Sequence, residues 1–136
     1  MVKRVALIFG VIFLVIGVAG YLTDGGMDMG ADPAPALLFG LFPVNFLHNA
    51  VHVAFGLWGI VASRSFAGSR NYARIGGMVY LVLTILAFVD PTAFGFVPIG
   101  GHDIWLHAVL AAALLFFGFM AKEEGEAAPS RVPDRT

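Results

Sequence analysis

Three histidines stand out in this sequence because they lie within otherwise apolar segments. His48 and His52 are four residues apart, and His107 lies in a later apolar segment. Residues four apart lie on the same face of an α-helix, so His48 and His52 could share one ligand. Neutral imidazole is a common ligand of transition-metal ions and of haem iron. These three histidines are therefore candidate metal ligands.

A wider polar cluster surrounds the histidines. Polar and then small residues follow one another at spacings of three and four from Asn45 to Ser63, which on a helix makes one continuous stripe. A later helical stripe carries Asp103 and His107. Polar groups facing lipid are costly, so both stripes should face the interior of a bundle. The predicted polar cluster comprises Asn45, His48, Asn49, His52, Asp103 and His107.

The cluster has a structural and a functional interpretation. In the structural one, Gly56 and Gly59 let helices approach, and the polar side chains form interhelical hydrogen bonds worth about 0.5–2 kcal/mol each. In the functional one, the histidines bind haem or copper, and Asn45, Asn49 or Asp103 orient the rings. Met27 and Met29 in a nearby loop would suit copper(I). A proton or small-molecule path is a third interpretation. The residue types favour the structural one.

The elements that must position these residues are membrane helices. Of the 136 residues, 59% are hydrophobic and 12% are charged, and the mean hydropathy is +0.86. Soluble domains carry about 25% charged residues. Four apolar segments, at about 5–23, 45–63, 72–89 and 104–121, each approach the ~20 residues that span a bilayer. The sequence therefore predicts an all-α membrane protein with four transmembrane helices.

The two ends of the chain need separate interpretations. The first segment could be a cleaved signal peptide, but its length and its later counterpart favour a retained helix. The polar segment 122–136 is predicted to be a disordered tail.

The chain contains no cysteine, which excludes disulfides and thiolate metal sites.

Basic and acidic residues are distributed unequally among the loops. By the positive-inside rule, loops rich in lysine and arginine are cytoplasmic. The prediction is a multi-pass protein of the cell membrane with both termini in the cytoplasm. The basic residues precede the first segment, flank the loop between the second and third segments, and follow the fourth: Lys3, Arg4, Arg64, Arg70, Arg74 and Lys122. The acidic residues lie in the other two loops, which are therefore predicted to be outside: Asp24, Asp28, Asp32, Asp90 and Asp103.

The chain also contains an internal repeat. The segments 39–44 and 94–99 share the pattern Phe-Gly-x-x-Pro at an offset of 55 residues (94 − 39). The first and third helices align at an offset of 67 (77 − 10). We interpret this as two parallel copies of a helical hairpin, related by an axis along the membrane normal. The offsets pair His52 with His107, His48 with Asp103, and Phe13 with Tyr80.

The run from His48 to Gly56, His-Asn-Ala-Val-His-Val-Ala-Phe-Gly, resembles the bacterial domain-of-unknown-function family 4383. The preceding Phe-Pro-Val-Asn run, the later segment 77–80 and the second histidine-bearing helix fit the same pattern. The resemblance covers nearly the whole chain except the tail. It implies a small four-helix membrane protein and no particular activity.

These observations favour a small non-enzymatic integral membrane protein, acting as a structural or interaction subunit. One alternative is a metal- or haem-binding membrane protein that uses histidines in the outer leaflet. Another is a minimal oligomeric transporter. The expected partners are the lipid bilayer and either further copies of the chain or a larger membrane complex, and no basic block indicates nucleic acid. No nucleophile triad, phosphate loop or nucleotide fingerprint suggests an enzyme.

Overall fold

The fold is a helical bundle with a short β-hairpin near one end. The computed structural model describes residues 1–30 and 34–122, and within them the chain forms four helices and two strands. Asp32 and the predicted tail beyond Lys122 lie outside the described residues. In chain order the elements are α1 (Val2–Tyr21), β1 (Ala36–Leu38), β2 (Phe42–Val44), α2 (Phe46–Ala62), α3 (Phe66–Val89) and α4 (His102–Met120).

Three of the helices are long and apolar enough to cross a membrane. Helices α1, α3 and α4 contain 20, 24 and 19 residues, whereas α2 contains 17. At 1.5 Å per residue α2 is about 26 Å long, somewhat less than the ~30 Å hydrocarbon core. The structure therefore supports three of the four predicted spans by length. Helix α2 is short because the strand that contains Pro43 comes directly before its capping residue, Asn45.

Large apolar side chains cover the outside of the bundle. Ile8, Val15, Val82 and Phe116 are each 55–60% exposed, although they lie in the middle of helices. A soluble protein rarely exposes apolar surface so continuously. Lipid around the helices would cover these side chains. The chain thus has the surface of a membrane-spanning protein.

Helix α3 begins at Phe66, six residues before the predicted start. The Ser65 side chain caps the helix by accepting a hydrogen bond from the backbone N–H of Gly68 at 3.0 Å. The Ser69 hydroxyl donates to the carbonyl of Ala62 at 3.0 Å, which ties the start of α3 to the end of α2. The polar first turns of α3 hid this start, because hydropathy marks only the apolar part of a helix.

Adjacent helices pack closely through glycines. A methyl group on Gly10 of α1 would lie 2.7 Å from the backbone nitrogen of Ile60 in α2, and one on Gly59 would lie 2.8 Å from the Cα of Gly10. Helices α3 and α4 also pack along their lengths. The two pairs meet mainly through α1 and α3, where the rings of Phe13 and Tyr80 stack with centroids 5.4 Å apart.

The two Phe-Gly-x-x-Pro segments adopt the same unusual backbone conformation. Phe39 and Gly40 have φ angles of 55° and 71°, and Phe94 and Gly95 have φ angles of 61° and 83°. Positive φ is uncommon for any residue other than glycine. The first segment forms the tip of an antiparallel hairpin, in which Leu38 pairs with Phe42. This hairpin was not predicted from the sequence.

The loop between α3 and α4 is held by Asp90. Its carboxylate accepts hydrogen bonds from the hydroxyl and the N–H of Thr92 at 2.6 and 2.9 Å, and from the N–H of Phe94 at 2.9 Å. These bonds, that from the Thr92 hydroxyl foremost, hold the pKa of Asp90 below its ordinary value. A further backbone bond joins Ile99 N–H to the Pro91 carbonyl at 2.9 Å. The loop therefore has a fixed shape where it passes the histidines.

Candidate metal centre

Three histidine side chains converge inside the bundle. His48 and His52 lie one turn apart on α2, and His107 approaches them from α4. All three are buried, with exposed fractions of 5, 4 and 2%. Each ring offers a nitrogen atom that lies within 4.8 Å of the other two. The three histidines singled out from the sequence are thus brought to one place.

Hydrogen bonds determine which nitrogen carries a proton in two of the rings, His48 and His52. His48 Nδ1 lies 3.2 Å from the carbonyl oxygen of Pro98, and a carbonyl only accepts, so Nδ1–H donates. A neutral His48 then has its lone pair at Nε2, which lies 3.0 Å from Nε2 of His52. His52 must donate this second bond. The neutral cluster is therefore a chain of hydrogen bonds from His52 through His48 to Pro98, with its proton positions assigned from the acceptors.

Asp103 supplies the carboxyl group next to the cluster. One of its oxygens, Oδ2, lies 3.7 Å from Nδ1 of His48. The side chain is 1% exposed, and Oδ2 has no hydrogen-bond partner within residues 1–30 and 34–122. A carboxylate beside the non-ligating nitrogen of a histidine is the common outer shell of metal sites, because it fixes the ring and raises its basicity.

Two further ring nitrogens are buried without a partner. In the part of the chain that the structure describes, Nδ1 of His52 and Nδ1 of His107 make no hydrogen bond. An unsatisfied buried polar atom costs about 1–3 kcal/mol. Coordination of an ion through these Nδ1 atoms would recover this free energy, whereas coordination through Nε2 would not.

Aromatic rings and two cavities surround the histidines. The Phe13 ring meets the His52 ring edge-on with centroids 5.4 Å apart, and the Tyr80 ring lies 5.2 Å from that of His107. A cavity of about 340 Å³ borders all three histidines on the side of α3. A cavity of about 130 Å³ borders His48 and His52 on the side of the β-hairpin. The sequence did not predict that Phe13 and Tyr80 border the site, although the repeat aligns them.

The two asparagines bind loops rather than imidazole rings. The Asn45 side chain accepts from the backbone N–H of His48 at 2.8 Å and donates to the carbonyls of Gly30 and Phe96 at 3.0 and 2.8 Å. Asn49 donates to the carbonyl of Gly26 at 2.9 Å. Both asparagines are buried, as predicted for members of the polar cluster. Of the three residues predicted to orient the rings, only Asp103 is placed to do so, together with the carbonyl of Pro98.

The remaining candidate ligands lie apart from the cluster. Met27 and Met29 are 59% and 73% exposed and line neither cavity beside the histidines. His102 is exposed and is not part of the converging set. A haem bound from both sides by histidines would need two imidazoles on opposite faces of a planar ring, whereas these three nitrogens converge on one point. The geometry favours a single ion over a haem.

Apolar helices of membrane-spanning length around a buried polar cluster define a helical membrane-spanning protein. A family model described as a domain of unknown function (DUF4383) matches residues 3–120. The chain belongs to this family, which confirms the resemblance found in the sequence. No curated protein and no solved structure matches the chain significantly.

Proposed function

We propose that the protein binds one copper ion inside the membrane through His48, His52 and His107. The observation that carries the proposal is the convergence of three buried imidazole nitrogens within 4.8 Å. In a tetrahedral site with metal–nitrogen distances of about 2.0 Å, the ligand nitrogens lie about 3.3 Å apart. Small rotations of the rings would reach this spacing, and the Nε2 atoms of His48 and His52 are already 3.0 Å apart.

The charge of the site favours copper(I) over a divalent ion. A charge in a low-dielectric interior is costly unless an opposite charge accompanies it. Among the described residues, Asp103 provides the one carboxylate that contacts these histidines. As a carboxylate it would balance a monovalent ion, whereas a divalent ion would keep one uncompensated positive charge. Imidazole suits copper as well as zinc, so zinc is the natural comparison.

Metal content tests the proposal directly. The protein, purified in detergent, would be loaded with copper(I) under reducing conditions or with zinc(II), and freed of excess metal by a chelator. We expect about one copper per chain and weaker retention of zinc. Elemental analysis and thermal unfolding measure this, because an ion that binds only the folded state raises the unfolding temperature. Copper that the chelator removes completely, with no thermal stabilisation, would contradict the proposal.

A structural role is the second candidate, and the hydrogen-bond chain from His52 through His48 to Pro98 favours it. The cluster would then fasten α2 to the loop before α4 within a non-enzymatic structural or interaction subunit. In that case the protein would keep its fold without metal and gain no stability from copper. The same measurements therefore separate the two candidates.

Replacing Asp103 by asparagine should weaken copper binding without removing it. Asparagine keeps the size of the side chain but loses the charge that balances the ion and polarises His48. Loss of such an outer-shell carboxylate typically reduces metal affinity 10–100-fold. Competition with a copper(I) chelator of known affinity measures the change. Asp24→Asn, at an exposed position at the same end of the bundle, is the control and should leave the affinity unchanged.

We also propose that α2 is the fourth span and that the bundle consists of two equivalent hairpins. Asn45, Val44 and the hairpin extend the buried chain beyond the start of α2. At the offset of 67 residues, every buried position of α1 matches a buried position of α3. The matched pairs are Val2 with Ser69, Ala6 with Ala73, Gly10 with Gly77, Phe13 with Tyr80, Gly17 with Thr84, and Gly20 with Ala87.

This proposal puts both termini in the cytoplasm, since among the described residues Lys and Arg lie toward one end of the bundle. Single cysteines can be introduced cleanly because the chain has none. In intact cells, Asp28→Cys should react with a membrane-impermeant thiol reagent, and Ser130→Cys should react only after lysis. The reverse pattern of labelling would invert the topology.

A further inference from the structure

A cavity of about 340 Å³ lies next to the three histidines of the proposed copper site. The cavity is bordered by α2, α3, α4 and the loop that precedes α4, and all three histidines contribute to its wall. Three protein ligands leave one position of a tetrahedral ion open, as in metal sites that bind small molecules. We propose, resting on the copper site above, that this open position faces the cavity and binds a neutral diatomic molecule of the carbon monoxide, nitric oxide or dioxygen type.

The lining of the cavity selects this class of ligand. Apart from the histidines and Tyr80, the wall consists of apolar residues. A charged or strongly hydrated ligand would lose its hydration there without compensation. A water molecule takes up about 30 Å³ in the liquid, so the volume is ample for a diatomic molecule. The apolar residues are Val51, Phe55, Val79, Leu83, Ala93, Val97 and Ile99.

The Tyr80 hydroxyl is the group that would recognise the bound ligand. Its side chain is 2% exposed and lines the cavity, and its ring lies 5.2 Å from that of His107. The hydroxyl oxygen has no hydrogen-bond partner among residues 1–30 and 34–122. A ligand held at the open position could accept a hydrogen bond from it. A buried donor that lines the same cavity as the ligating rings is a feature that helix packing alone does not require.

Tyr72 provides a matched control on the same helix. It is also buried, and its hydroxyl also lacks a partner within the described part of the chain. Tyr72 lies against Trp58, with ring centroids 5.0 Å apart, and does not line the cavity. Removal of its hydroxyl therefore changes the chemistry of a buried tyrosine without changing the site.

Carbon monoxide added to the copper(I)-loaded protein is the test. We expect an infrared band of a copper(I)-bound C–O stretch, with about one carbon monoxide bound per copper. Tyr80→Phe should keep copper and shift this band to higher frequency, because loss of a hydrogen bond to the ligand oxygen reduces back-donation from copper. Tyr72→Phe should leave the band in place. Val79→Phe, which fills the cavity from α3, should lower carbon monoxide affinity at least tenfold with unchanged copper content.

Each outcome has a distinct meaning. A protein that retains no copper overturns both this inference and the copper site. Retained copper with no carbon monoxide band overturns this inference alone, because the fourth position is then closed. A band that Tyr80→Phe leaves in place, or that Tyr72→Phe shifts equally, overturns the role of the Tyr80 hydroxyl.

Discussion

Replacement of His52 by glutamine is expected to remove copper from the protein while leaving it folded. His52 is one of the three converging histidines, with its Nε2 atom 3.0 Å from that of His48 and its other ring nitrogen unpartnered within the described residues. Glutamine retains a hydrogen-bond donor and an acceptor, but an amide is a poor substitute for imidazole as a ligand. Copper per chain should fall from about one to near zero in elemental analysis.

The exposed fourth histidine supplies the control. His102→Gln removes an imidazole five residues from His107 but outside the converging set, and should leave the copper content unchanged. Both variants should unfold without metal at temperatures close to that of the metal-free parent. A His52→Gln protein that still holds one copper under chelator challenge would refute the proposed ligand set. A large loss of stability in the absence of metal would instead support the structural role.

Gly10→Ala should destabilise the bundle strongly, although it adds a single methyl group. That methyl would lie 2.7 Å from the backbone nitrogen of Ile60 and 2.9 Å from the carbonyl oxygen of Gly56. Backbone atoms of a packed helix cannot move aside individually, so α1 and α2 must separate. Overpacking of this kind costs about 1–3 kcal/mol, which in a bundle of this size should lower the unfolding temperature by several degrees.

Gly76→Ala is the matched control for Gly10→Ala, because the structure has room for a methyl group at Gly76. Its added methyl would meet Leu114 and Phe55 side chains at 3.5 Å, an ordinary van der Waals distance. Alanine is a better helix former than glycine by about 1 kcal/mol, so Gly76→Ala should be neutral or stabilising. Thermal unfolding in detergent measures both variants. Equal destabilisation by the two would show that loss of glycine itself matters, rather than the α1–α2 contact.

The sequence predicted the parts of the structure that depend on periodicity. Hydropathy located the four helices, and the spacing of polar residues identified the six side chains of the buried polar cluster. The offset of 55 residues paired His52 with His107 and His48 with Asp103, and in the structure each of these pairs lies in one cluster. A repeat conveys three-dimensional information because equivalent positions lie at equal depth around a common axis.

The parts that the sequence did not predict depend on contacts between a side chain and a distant backbone. Asn45 joins two loops by donating to Gly30 and Phe96, and the carbonyl of Pro98 fixes the tautomer of His48. A backbone carbonyl is present at every residue, so residue types do not reveal which one will accept. The early start of α3 was missed for a related reason, because only the Ser65 cap marks it and serine caps are common in loops as well.

The division of the ligands between the two hairpins has a consequence for biogenesis. The pairs α1–α2 and α3–α4 are each held by contacts between helices that are neighbours in the chain, so in the proposed four-span arrangement each pair can enter the bilayer and form as a unit. His48 and His52 belong to the first unit, and Asp103 and His107 to the second. The proposed copper centre would therefore form only after the units have docked. Copper would stabilise the contact between the two docked units at the last step of assembly. Cells starved of copper should therefore accumulate protein that is inserted but incompletely assembled and more readily degraded.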